Sequence, residues 1–150
     1  MALKGDRHEF DTDPTFFLNE VAEQGVVLSV STQGSGAAMD NSSALSTVAA
    51  EASGATPLGI LLNGMVNIDQ TKQHLNQYKD EVQKGGKVTI LTKGWVVTDQ
   101  ISGTPTAGQT AYVADSGKIA GTQDGTAVAI GRFLSTKDAD GYAKVSVNLP

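Results

Sequence analysis

His8, Asp11 and Asp13 bring one imidazole and two carboxylates into a short stretch near the N-terminus, the donor types that bind divalent cations. Extended chain puts alternate side chains on one side, so Asp11 and Asp13 could converge. A complete site needs further ligands, and His74 is the only other imidazole in the chain. A solvated acidic segment accounts for the same residues. Further along, Asp138, Asp140 and Gly141 are spaced like the opening of a calcium loop. The third carboxylate of such a loop is missing and no Glu closes it, so a β-turn explains the spacing. Gly34, Ser35 and Gly36 superficially match a phosphate-binding glycine loop, but lack its third glycine and the Lys-Ser/Thr pair. Ser and Thr are plentiful, yet His8 and His74 stand beside no nucleophile-elbow pattern. For a hydrolase or ligand-binding barrel, Asp69, His74, Asp99 and Asp124 would be the first groups to suspect, and they show no recognised spacing. Trp95, the single tryptophan, can anchor a core or an interface, and its place in a strand pattern favours the core. No catalytic residue, metal ligand or cofactor-binding residue emerges, and the expectation is a protein that is not an enzyme and needs no cofactor.

The elements that would carry such groups are β-rich. The 150 residues suit one domain with a single hydrophobic core. Apolar residues make up 39%, but aromatics only 5%, so Val, Ile, Leu and Ala must build that core between abundant glycines. The net charge of −5 argues against neutralising phosphates, so nucleic acid is not an expected partner. Between Arg7 and Lys72 there is no Lys or Arg, while Asp11, Asp13, Glu20, Glu23, Asp40, Glu51 and Asp69 fall there. The absence of cysteine excludes disulfides and thiolate chemistry and fits synthesis in a reducing cytoplasm. No stretch approaches the length of a membrane span or a secretory signal, so no membrane association is expected.

Residues 1–25 read as an N-terminal arm that holds Phe10, Phe16 and Phe17, three of the four phenylalanines, with Leu18 beside them. A terminal segment of this kind orders only on an apolar surface, either its own domain or a neighbouring chain. Residues 26–150 read as the β-rich domain. Val26 to Ser31 is its first strand, 33–56 a flexible Ser/Ala/Gly-rich loop with one weak strand from Leu45 to Ala49, and 57–68 an apolar core strand kinked at its glycines. Leu75, Tyr78 and Val82 leave room for one short helix over 71–83. Gly86 to Thr98 and Gly108 to Thr122 each read as a strand, a tight turn and a return strand, as do the runs from Ala127 to Leu134 and from Tyr142 to Leu149 about the turn at 138–141. In the last strand Val145, Val147 and Leu149 face one way. The pattern predicts a mainly β fold, a small antiparallel barrel or sandwich with at most one short helix.

The segments Thr106 to Val113, Gly117 to Ala120, Ala129 to Leu134 and Ala143 to Leu149 resemble small phage head proteins whose β-tulip-like domain forms capsid decoration, or cement, proteins. Upstream, Pro57 to Asn63 and Lys87 to Trp95 are similar to phage decoration chains of the same kind. The resemblance spans roughly 57–149 and rests on strand and turn patterns. It implies a structural virion protein on the capsid exterior that bridges major capsid protein subunits and stabilises the shell, often as a homotrimer. On that reading Phe10, Phe16, Phe17 and Leu18 are the expected capsid-binding residues. Another virion component, such as a head-fibre base or tail adaptor, is the alternative, and a small hydrolase or ligand-binding barrel a more distant one.

Overall fold

Short β-branched and apolar runs, punctuated by Gly, Asp and Ser, become strands throughout residues 3–32, 45–64 and 81–149, which the computed structural model describes. The N-terminal half supplies β1 (His8–Asp13), β2 (Phe17–Leu18), β3 (Ala22–Glu23), β4 (Val27–Thr32), β5 (Leu45–Val48) and β6 (Pro57–Gly64). The remainder supplies β7 (Glu81–Val82), β8 (Val88–Thr98), β9 (Ile101–Ser102), β10 (Thr110–Val113), β11 (Ile119–Ala120), β12 (Ala129–Phe133) and β13 (Ala143–Asn148). The fold is mainly β, as expected. The one helical element among the described residues is a 3-10 turn at Asp115–Gly117. Most of the segment read as a possible helix, 71–83, lies outside the described residues, as do Gln33 to Ala38.

One large sheet runs in the order β2-β5-β4-β6-β8-β13-β12-β10-β11-β9, with β1 added to β8, and β3 pairs β7 separately. Most pairings are antiparallel; β2 with β5 and β9 with β11 are parallel. The order is an open path among the described residues rather than a ring. Its hinge is β8, whose 11 residues reach two half-sheets. Leu91 pairs with both Ile60 of β6 and Thr12 of β1, and Trp95 with both Ser146 of β13 and His8 of β1. Each strand has two edges, so β1 follows one edge of β8 while β6 and β13 divide the other.

The apolar run of β6 is core on both faces. Ile60 and Leu62 join a large buried cluster with Val27, Leu91, Val96, Val113, Phe133, Val145 and Val147. Leu61, between them, joins a second cluster with Leu18, Ala22, Val26, Leu28, Val82, Val88 and Ile90. Successive strand residues point to opposite faces, so a strand covered on both sides reads as a continuous apolar run. On β13, covered on one side, burial alternates: Val145 and Val147 are inside, while Lys144 and Ser146 are half-exposed.

Two expectations change. Gly86 to Thr98 holds no turn at Gly94: β8 passes straight through it. Gly94 has φ +141°, and a side chain there would run into the carbonyl oxygen of His8, so this glycine admits β1 alongside β8 instead of reversing the chain. The second repeat does turn, with β10 and β11 paired across the 3-10 turn. The segment expected as an arm is largely built into the sheets: β1 pairs β8, β2 pairs β5 and β3 pairs β7. Of the two surfaces open to the Phe-bearing segment, its own domain takes most of it. The glycine-kinked strand is as expected, since β6 carries register shifts in its ladders with both β4 and β8, and Gly59 sits at φ +144° against the Leu91 carbonyl.

Candidate partner-binding face

The four residues expected to bind a partner have different fates. Leu18 is buried in the second cluster, and Phe16 packs half-buried against it. Phe17 is half-buried, with the Lys87 ammonium 5.5 Å from its ring. Leu18 is buried because β2 joins the sheet beside β5. Phe10 differs: its side chain is 77% exposed.

The register of the strands builds a face around Phe10. His8 on β1, Trp95 on β8, Ser146 on β13, Arg132 on β12 and Thr110 on β10 lie opposite one another in a single cross-strand row. Directly paired residues share a face. The row beside it, Gly131, Val147 and Gly94, turns inward, with Val147 in the large cluster. Trp95, expected in the core, is therefore half-buried on the outer side of the sheet. Its indole stacks against the His8 ring, with centroids 4.7 Å apart and planes 26° apart. Lys144 Nζ lies 4.9 Å from the Trp95 centroid, a cation-π distance. Phe10, at 6.2 Å from His8, extends the patch. These rings, Lys93 and Val147 line an open cleft of about 420 Å³.

Asp6 ties the N-terminal end of this face to β13. Its carboxylate accepts from Lys144 Nζ at 3.2 Å and, at a long 3.5 Å, from Trp95 Nε1. The hydrogen bond from Lys144, then that from Trp95, then the Lys144 charge hold the Asp6 carboxyl below its ordinary value of 3.8. A depressed carboxylate contributes stability above its unfolded value that is lost as pH falls through the folded one. Acidification below the ordinary carboxylate range should therefore release Lys144 and change the environment of Trp95. Trp95 fluorescence reads this directly because the chain has one tryptophan. The change below pH 3.8 should vanish in Asp6→Asn, and its persistence there would assign it to another group.

The other suspected groups stay apart or engage in structural roles. Asp13 Oδ1 accepts from the Thr15 backbone N–H at 2.8 Å, and Asp138 Oδ1 accepts from the N–H groups of Asp140 and Tyr142 at 3.0 and 2.8 Å, making the turn expected there. Asp99 accepts from the Gln100 side chain, whereas Asp124 lines a polar cleft with Ser102 and Asp115 that Asp99 does not reach. Asp69 and His74 lie outside the described residues. Among the described residues, no three His, Asp or Glu side chains are grouped to hold a metal ion. Sequence reasoning missed Asp6, Lys93, Arg132 and Lys144 as members of one face. The alternation on β13 could have put Lys144 and Ser146 outside, but their meeting with Trp95 and His8 depends on long-range register.

No curated protein matches the chain. The family model of the structural cement proteins (E217 gp24/Pam3 gp6) matches residues 6–148, from Asp6 of this face to the end of β13. The match reaches upstream of the 57–149 segment that carried the resemblance and takes in β1, Phe10 and the whole sheet. The chain belongs to the phage structural cement protein family.

Proposed function

We propose that this protein binds the outer surface of a phage capsid and stabilises the shell by bridging major capsid protein subunits, without enzymatic activity. The observation that carries this reading is the cement-family match along residues 6–148. A cement acts by covering surface across subunit boundaries, which requires rigid display of contact groups rather than a reactive centre. Of the partner-binding residues expected from sequence, Phe10 meets that need, being exposed on a strand whose other residues are paired to β8. Phe16 and Phe17 are secondary contacts on the same N-terminal segment. A homotrimer fits this role, since association adds stability to a chain without disulfides.

Electron microscopy of virions carrying a labelled copy of the protein tests the location: density over the outer shell is expected. Density confined to the tail or to a head-fibre base would favour the alternative virion role. Light scattering tests the assembly, with a trimer mass expected and a monomer mass at micromolar concentration removing the trimer.

A further inference from the structure

We infer that the outer face centred on Trp95 is the shell-docking surface and that it takes an acidic surface segment of the capsid subunit. This rests on the cement reading and adds the place of contact and the chemistry of the partner. The face is built across β1, β8, β13 and β12 by the row His8, Trp95, Ser146 and Arg132. It combines a half-buried indole, an exposed phenyl ring and three cations, Lys93, Arg132 and Lys144, against Asp6 and Asp11.

The placement of charge is the argument for an acidic partner. The chain as a whole carries −5, and its residues 8–71 contain no cation. Cations concentrated on one face of an acidic protein orient it toward a negative surface. Asp6 is engaged by Lys144 at 3.2 Å and Glu9 by Arg7 at 3.1 Å. Asp11 lies opposite Lys93 in the ladder but forms no ion pair with it among the described residues. Lys93 and Arg132 likewise have no ion-pair partner among the described residues. An aromatic anchor ringed by polar and charged groups is the arrangement in which one side chain carries much of a binding free energy. Trp95 is held ready for that role by the His8 stack and the Lys144 contact, so little side-chain ordering remains to be done on docking.

The test is co-sedimentation of the full chain with undecorated phage shells across a salt series, comparing wild type, Trp95→Ala and the double variant Lys93→Glu with Arg132→Glu. Trp95→Ala should weaken binding about 30-fold, the loss typical of a tryptophan hot spot. The double charge reversal should weaken it about tenfold or more at low salt, and its binding should no longer fall as salt rises. Because both reversed residues lie on the outer face, its melting temperature should match wild type, which separates lost docking from lost folding. Unchanged shell affinity and salt dependence in the double variant would overturn the inference while leaving the cement reading intact. A wild-type protein that does not bind shells would remove both. Variants that fall to monomer mass yet still bind shells would make the face a contact between copies, and equal salt-dependent capture of duplex DNA would make the partner a nucleic acid. Either result would overturn the inference.

Discussion

Deletion of residues 1–18 is expected to unfold the protein rather than to trim a tail from it. The deletion removes β1 from the edge of β8, where five residue pairs hold it. It also takes Leu3, 5% exposed, from the large cluster and Leu18, 1% exposed, from the second. Emptying a buried leucine site costs about 2–5 kcal/mol. Two such sites and a strand amount to about 5 kcal/mol or more, comparable with the whole stability of many domains. Phe10→Ala provides the contrast: its exposed ring should change stability by less than about 0.5 kcal/mol. Circular dichroism melts of the two variants check both expectations. A cooperative transition near the wild-type temperature in the truncated chain would show that the N-terminal segment is dispensable for folding.

The second large effect is expected at Gly94. There β8 is flanked by Glu9 of β1 on one side and Val147 of β13 on the other. Gly94→Ala would impose a side chain on φ +141° and drive its Cβ into the His8 carbonyl. Backbone strain of this kind costs about 1–3 kcal/mol. Separation of β1 from β8 would add the loss of its ladder, so a total near 3 kcal/mol is expected in denaturant unfolding. Amide exchange gives the sharper reading: protection should fall in His8–Asp13 before the rest of the sheet. Uniform destabilisation, with β1 protected as in wild type, would mean that the neighbouring carbonyl can move aside.

These two sites also mark where sequence reading succeeds and where it stops. The apolar run from Pro57 to Leu62 declares a core strand, and Ile60, Leu61 and Leu62 are buried on its two faces. Val145, Val147 and Leu149 declare a one-sided strand by their alternation, and Asp138 with Gly141 declares the turn before it. Such signals are local. At Gly94 the same local grammar suggests a turn, because a glycine between two β-branched runs suits a hairpin as well as it suits a close approach of a third strand. Only the position of His8, far away in sequence, decides between them. Phe16, Phe17 and Leu18 raise the same ambiguity, since apolar residues near a terminus can cover their own core or another chain. The face around Trp95 is less legible still. His8, Trp95, Arg132 and Ser146 are spread along most of the chain, and a one-residue shift in any of three ladders would scatter them.

Adhesion of the protein to an assembled phage shell is read by saturable co-sedimentation with purified, undecorated shells. A plateau at a fixed number of copies per shell is expected, with Phe10→Ala bound more weakly than wild type at equal stability. Recovery of the folded wild-type protein entirely in the supernatant, at concentrations where shells remain intact, would rule out such adhesion.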